Sequence, residues 1–127
     1  MNTNLDFAKL MQERTMVFAL RIIRMSQKLP RSEEATVMRK QVLRSATSVA
    51  ANYRAVCRAK SAADFASKMK TVIEEADETA FWLEMLVRSE IAKEGQLTEL
   101  RSEADEILRI CSASHATITR NNRKGTA

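Results

Sequence analysis

The sequence is poor in the residues that break helices and reverse the chain. Its 127 residues include two glycines, Gly95 and Gly125, and one proline, Pro30. A β-sandwich or barrel needs many tight turns, which glycine and proline supply. Their scarcity argues against those folds and favours long helices with few loops. The length, with 45% hydrophobic residues, is that of one globular domain and argues against a two-domain enzyme.

Histidine and cysteine are scarce as well. His115 is the only histidine, which excludes metal sites built on two or more histidines. Cys57 and Cys111 are too few and too far apart for a zinc knuckle and provide no disulfide framework. Together with the lack of a signal peptide, they predict a reducing, cytoplasmic location. We expect neither a metal nor a cofactor.

Long apolar runs are missing too. No segment approaches the roughly 18 uncharged apolar residues of a membrane span, so no membrane association is expected. Charge, by contrast, is plentiful, with a formal net charge of +5 and a sequence pI near 9.6. Such an excess suits an anionic partner, although it is also common in proteins that bind no nucleic acid. The distribution of the charge is therefore more informative than its sum.

Apolar residues recur every three or four positions along four segments and predict four helices. These helices are predicted at about 4–29, 33–60, 62–92 and 99–119. Pro30 ends the first helix, and Ser32 caps the second. Ser61 and Asp64 have the spacing of a capping box before the third helix, and Thr98 can cap the fourth.

The four helices are predicted to form a single all-α domain over residues 1–119. Gly95 is available to end the third helix. The connections are short, which predicts antiparallel neighbours in an up-down-up-down four-helix bundle. The polar, basic tail 120–127 is expected to be disordered.

The first and third helices carry more apolar surface than a monomeric bundle can bury. The segment Ala80–Val87 of the third helix contains one charged residue in eight. Large exposed apolar surfaces mark interaction sites, so we expect the chain to form a homo-oligomer. The residues predicted for the oligomer interface are Met16, Leu20, Ile23, Phe81, Trp82 and Met85.

The second helix segregates its charge. Between Ala35 and Lys60 there are six basic residues and no acidic one. Four of them fall close to one line opposite the core stripe, and we call these the basic ridge: Lys40, Arg44, Arg54 and Arg58. The ridge could follow a phosphate backbone without reading bases. The alternatives are a solvated face and a face that pairs with acid elsewhere.

Further basic residues lie outside the second helix. Arg21 and Arg24 on the first helix are predicted to add to nucleic-acid binding. The tail residues Arg120, Arg123 and Lys124 are predicted to do the same.

Acidic residues concentrate on the third helix, with six of them against the single base Arg88 between Thr71 and Glu90. Glu74 and Glu78, one turn apart, could form an acid/base or metal-binding pair. No histidine, cysteine or glycine-rich loop accompanies them, so ion pairing with a neighbouring helix or subunit is the more economical interpretation. We therefore predict no catalytic residue and no enzymatic activity.

Several other polar or aromatic residues are interpreted as packing groups. His115, Cys57 and Cys111 are expected in the core, and Tyr53 and Trp82 are expected to be packing anchors. A polar stripe beside the core of the second helix is expected to pair helices through hydrogen bonds. Its members are Gln41, Ser45, Ser48 and Asn52.

The middle of the chain carries a distinctive combination of residues. Its elements are the run QVLRSATSVAAN at 41–52, then Ser61, Asp64-Phe65 and Lys68, then Glu74-Glu75 and the run ETAFWLE at 78–84. This combination resembles the bacterial four-helix-bundle proteins encoded within intervening sequences of 23S ribosomal RNA genes, over roughly Phe18 to Leu86. The chain departs from that family at 52–56, where Asn-Tyr-Arg-Ala-Val replaces a frequent Asn-Ile-Xaa-Glu-Gly.

The resemblance implies a homopentameric ring of up-down-up-down bundles. It also implies kinship with the accessory variability proteins of diversity-generating retroelements, which use a basic surface to bind nucleic acid and a reverse transcriptase. The first hypothesis is therefore a non-enzymatic oligomer that binds RNA or DNA phosphates through the basic ridge. The alternative is a protein–protein scaffold for an acidic partner, such as a reverse transcriptase or another neighbouring gene product.

Overall fold

The structure, a computed structural model, describes the backbone of residues 3–125 and the side chains of residues 5–121. Over this range the chain forms four helices and no strand. The helices are α1 (Thr3–Ser26), α2 (Glu33–Val56), α3 (Ala62–Arg88) and α4 (Glu94–Gly125). Helix α2 packs on α1 and α3, and α4 packs mainly on α3. The expected all-α class with four helices is confirmed.

Two of the predicted helix caps are present. The hydroxyl oxygen of Ser32 accepts a hydrogen bond from the Ala35 backbone N–H at 3.2 Å, and Glu33 lies in the first turn of α2. The hydroxyl oxygen of Ser61 accepts from the Asp64 N–H at 3.0 Å. The Asp64 carboxylate in turn accepts from the backbone N–H of Lys60, one residue before the cap. These side chains satisfy N–H groups that have no partner inside the helix.

The fourth helix differs from its predicted bounds at both ends. It begins at Glu94, because the Gln96 side chain accepts a hydrogen bond from the Lys93 backbone N–H and caps the helix there. Thr98 lies inside α4, and its hydroxyl donates to the Glu94 carbonyl at 2.9 Å. At the other end, most of the tail predicted to be disordered is helical as far as Gly125. Residues 120–124 include neither glycine nor proline, so the helix continues until Gly125.

The first three helices end about one turn earlier than predicted. Beyond α1, the guanidinium of Arg39 donates to the carbonyl oxygens of Ser26, Leu29 and Pro30 at 2.8–3.2 Å. The Leu29 and Pro30 carbonyls lie in the connection after the helix, and the Ser26 carbonyl also accepts from the Leu29 backbone N–H at 3.2 Å. Arg39 therefore acts as a side-chain clamp on the α1–α2 connection.

The end of α3 is made by Glu90 and not by Gly95. Glu90 has a φ of 65°, a left-handed conformation that side chains other than glycine and asparagine rarely adopt. The turn is closed by a hydrogen bond from the Ala92 N–H to the Leu86 carbonyl at 3.0 Å. Gly95 instead occupies the first turn of α4.

The core lies along the predicted apolar stripes of all four helices. Its largest fully buried members are Phe18, Ile22, Met69, Leu83, Leu86, Leu97, Ile107, Val42, Val49 and Val72. Thr15 on α1 is also fully buried, with its hydroxyl donating to the Gln12 carbonyl. Each buried aliphatic or aromatic side chain contributes roughly 1.5–3 kcal/mol relative to an exposed one.

Two residues expected in the core are less buried than predicted: His115 is half-buried, and Cys57 is exposed just after the end of α2. Phe7 is also 43% exposed, although it continues the apolar spacing of α1. Phe7 lies in the first turns of α1 and lines an open cleft beside Tyr53 instead of entering the core. Cys111, by contrast, is fully buried, and burial raises its pKa to about 11.

A buried hydroxyl pair joins α2 to α3. The oxygens of Ser45 and Thr79 are 2.9 Å apart, and both side chains are fully buried. Each hydroxyl also lies within hydrogen-bond distance of a carbonyl in its own helix, at Val42 and Glu75. The predicted helix-pairing role of the polar stripe is confirmed at Ser45.

Candidate nucleic-acid interface

Three residues of the basic ridge, Lys40, Arg44 and Arg54, lie on the outer side of α2, whereas Arg58, which was predicted on the same helix, lies in the turn just after α2 ends at Val56. Lys40, Arg44, Arg54 and Arg58 are all exposed, while Val42 and Val49 on the opposite side of the helix are fully buried. This arrangement follows from the 100° rotation per residue, which separates the ridge from the core stripe. The predicted segregation of charge on this helix is therefore present in three dimensions.

Arg44 contacts acid on α3. One guanidinium nitrogen lies 3.2 Å from a Glu75 carboxylate oxygen, and another contacts the carboxylate of Glu78. The hydrogen bond to Glu78 is the main cause that raises the pKa of Arg44, and the charge of Glu75 adds to it. Pairing with acid elsewhere, one of the alternatives raised from the sequence, is thus observed at Arg44. Two carboxylates more than offset its positive charge.

The other three ridge residues have no such partner. Within residues 5–121, Lys40, Arg54 and Arg58 form no ion pair. Their charges face solvent, where they are available to an external anion. The ridge thus consists of Lys40 at one end, Arg54 and Arg58 at the other, and a neutralised middle.

The α1 residues predicted to add to binding lie in a separate cleft. We call it the basic cleft; its volume is about 760 Å³, and Arg21, Arg24 and Lys28 line it together with the first turns of α4. Arg21 lies 3.4 Å from a carboxylate oxygen of Glu99, whose side chain is 90% exposed. Arg24 and Lys28 form no ion pair within the described side chains.

Another α1 arginine ties α1 to α4. The guanidinium of Arg14 donates two hydrogen bonds to the carboxylate of Glu103, at 2.7 and 2.8 Å. This bond to Glu103 is the main cause that raises the pKa of Arg14. Sequence reasoning missed this pair, since Arg14 and Glu103 lie far apart in the chain.

The residues predicted for an oligomer interface are on the surface or at its edge. Met16, Leu20 and Phe81 are exposed, and Ile23, Trp82 and Met85 are half-buried. Leu10 and Val17 on α1 are exposed apolar residues as well, and they were not among the residues predicted for the interface. Their apolar character could have indicated them, but they do not share the spacing of Met16, Leu20 and Ile23.

Trp82 combines apolar packing with an unused donor. Its ring meets that of Phe81 edge to face, with centroids 4.9 Å apart and an angle of 79° between the planes. Its indole Nε1 is buried and has no hydrogen-bond partner in the described part of the chain. A buried N–H without an acceptor is uncommon in folded proteins.

The acidic side of α3 forms no cluster suited to metal binding. Glu74 and Asp77 are exposed, and Glu84 pairs with Arg88 at 3.1 Å. Among residues 3–125, no group of three or more histidine, cysteine, aspartate or glutamate side chains could hold a metal ion. The same residues include no helix that is long and apolar enough to cross a membrane.

Four packed helices, with exposed cations on α2 and acidic residues on α3, define the chain as an all-α protein. The chain matches the family model of the 23S rRNA-intervening sequence proteins over residues 9–113. It belongs to that family, as its central residues predicted, and the match reaches into α4.

A solved structure is similar over most of the chain. It is a crystal structure of a protein with unknown function from the S23 ribosomal protein family of Bacteroides thetaiotaomicron, with a TM-score of 0.76 and 35% sequence identity. The similarity covers 82% of this chain and 96% of that one. No curated protein matches this chain.

Proposed function

We propose that this protein is a non-enzymatic, oligomeric nucleic-acid-associated protein that binds RNA or DNA phosphates through the basic ridge. The observation that carries the proposal is the exposure of Lys40, Arg54 and Arg58 without an ion-pair partner among residues 5–121. Lys40 and Arg54 lie about 21 Å apart along α2, at 1.5 Å per residue. That distance corresponds to roughly six base steps at 3.4 Å.

The proposed bundle has antiparallel neighbouring helices. Interhelical contacts support this topology, because residue numbers rise along one helix as they fall along its partner. Arg14 contacts Glu103 and Arg21 contacts Glu99 between α1 and α4. Between α2 and α3, Met38 contacts Ser89 and Ser45 contacts Thr79. In this arrangement Arg54 and Arg58 lie at the opposite end of the bundle from the basic cleft.

Assembly into a ring, with five copies as the family resemblance implies, would repeat the ridge around the particle. Exposed Met16, Leu20 and Phe81 support self-association through the outer faces of α1 and α3. Several ridges on one particle bind a long strand more tightly than one, since each contact raises the effective concentration of the next.

The test is a binding titration with a short structured RNA between about 50 and 200 mM salt, read by fluorescence anisotropy. Three released counterions per chain lower the affinity roughly 20- to 40-fold over that range. Light scattering after size exclusion reports the mass of the particle in the same buffers. An affinity that is absent or indifferent to salt contradicts the binding proposal, and a monomer contradicts the oligomeric part.

The second candidate is a scaffold that docks an acidic protein, such as a reverse transcriptase. The contact of Arg44 with two carboxylates favours this candidate, because it is an example of a ridge residue that binds acidic side chains. Charge reversal at Arg54 should then abolish capture of such a partner and leave nucleic-acid mobility unchanged.

A further inference from the structure

The basic cleft combines positive charge with an apolar floor. Arg21, Arg24 and Lys28 line it from α1, and residues 95–100 line it from α4. Its apolar lining consists of Met25, Leu29, Ile91, Ala92, Leu97 and Leu100. Its volume of about 760 Å³ is within the usual range for pockets that hold small ligands. The cleft can therefore contact both a charged group and an apolar ring.

The charge of the lining matches a dianion. Arg21, Arg24 and Lys28 face one carboxylate, Glu99, so two positive charges are in excess. A phosphate monoester carries about −1.5 to −2 at neutral pH, whereas an internal phosphodiester of a strand carries a single negative charge. The pair between Arg21 and Glu99 is exposed and, at 3.4 Å, long enough to be exchanged for a ligand oxygen.

The start of α4 leaves open space beside the cations. A Cβ built on Gly95 would meet no heavy atom within 4 Å, and Gly95 itself lines the cleft. The positive end of the α4 dipole adds to the attraction for an anion, partly opposed by Glu94 in the same turn. The open space and the helix dipole therefore favour an anion at the same place as the three side-chain cations, which provide most of the positive charge.

We propose that the basic cleft binds the phosphate monoester of a nucleotide, with the base against the apolar floor. The phosphate belongs either to a free mononucleotide or to the 5′ end of a strand. The second source rests on the proposed function, since it assigns the cleft to the end of a strand whose body lies on the ridge.

The experiment compares three probes on the intact protein. They are a short 3′-labelled RNA with a 5′-phosphate, the same RNA with a 5′-hydroxyl, and adenosine 5′-monophosphate. The cleft variant is Arg24→Glu with Lys28→Glu, and the control variant, Lys9→Glu with Lys70→Glu, changes the net charge equally at exposed positions outside the cleft. Circular dichroism checks that both variants are folded.

We expect the 5′-phosphate to bind about tenfold or more tightly than the 5′-hydroxyl, as two charge-assisted contacts allow. The cleft variant should remove this preference, and the control variant should retain it. Binding of adenosine 5′-monophosphate that the cleft variant abolishes also supports the site, with a free nucleotide as its source.

Equal affinity for the two RNAs, with no binding of the mononucleotide, overturns the cleft proposal and leaves the ridge proposal intact. Failure of both RNAs to bind, with the mononucleotide still bound in the cleft, overturns the ridge proposal alone. No binding of any probe overturns both.

Discussion

The cations of α2, with Arg58 in the turn that follows it, fall into two groups that face different surroundings. Arg39 and Arg44 contact protein: Arg39 binds three backbone carbonyls of the α1–α2 connection, and Arg44 binds carboxylates of α3. Lys40, Arg54 and Arg58 form no ion pair within the described side chains. Residues of one charge on one helix thus serve either the fold or an external anion, depending on what the neighbouring helix presents.

A similar contrast separates the two connections whose residues line the basic cleft. The connection between α1 and α2 is held by the guanidinium of Arg39. The connection between α3 and α4 contains Glu90 in a left-handed conformation, which costs a residue with a Cβ about 1 kcal/mol or more. One connection is stabilised by a side chain, whereas the other carries local strain.

The largest effect is expected from reversing the charges of the solvent-facing group. The triple change Lys40→Glu, Arg54→Glu and Arg58→Glu should weaken RNA binding at least about 100-fold, because three phosphate contacts become repulsive. The free energy of unfolding should fall by no more than about 1–2 kcal/mol, since no ion pair is lost and only the glutamate at position 54, in the last turn of α2, opposes the helix dipole. Anisotropy titration and urea denaturation measure the two effects. If the triple variant bound RNA as tightly as the parent protein, the solvent-facing cations would not be phosphate-binding residues.

The next effect is expected at the protein-facing group. Arg39→Ala should lower the free energy of unfolding by about 1–2 kcal/mol, because it removes charge-assisted hydrogen bonds to helix-end carbonyls. RNA affinity should stay close to that of the parent protein. Urea denaturation and the same titration check this separation, with Lys40→Ala as the exposed control next to it.

Removing the acidic partners of Arg44 tests whether a protein-facing cation can be converted into one that is free to bind RNA. The double change Glu75→Gln and Glu78→Gln removes both carboxylates and leaves the guanidinium free for an external phosphate. We expect RNA affinity to rise several-fold and the salt dependence to steepen by about one counterion per chain. Glu74→Gln with Asp77→Asn changes the charge equally at exposed positions on α3 and is the matched control. Equal gains from the two variants would show that only net charge matters.

The smallest effect concerns the strained connection. Glu90→Gly should stabilise the protein by about 0.5–1 kcal/mol, because glycine adopts the left-handed conformation without a Cβ penalty. Urea denaturation measures the gain, and Glu94→Gly, inside the first turn of α4, is expected to destabilise instead. A loss of stability at position 90 would show that its side chain makes a contact that outweighs the strain.

Local pattern in the sequence determined much of this protein. The four helices, the core stripes and the caps at Ser32 and Ser61 follow from spacing within single segments, and the residues at 41–84 pointed to the family. The segregation of charge on α2 could also be predicted from the sequence, since a helix places residues on its faces by a fixed rotation per residue. The start of α4 at Glu94 was missed because Thr98 was expected to cap the helix, whereas the side chain of Gln96 accepts from the Lys93 N–H and the helix begins one turn earlier.

Only the tertiary structure decided which charges are free. Arg44 and Arg54 look alike on a helical wheel, yet Arg44 lies against Glu75 and Glu78 because of the rotation and register of α3. The same holds for Arg39 on the α1–α2 connection and for the cleft that Lys28 and the start of α4 line together. Such contacts join residues distant in the chain, and their geometry depends on helix packing that no local periodicity specifies.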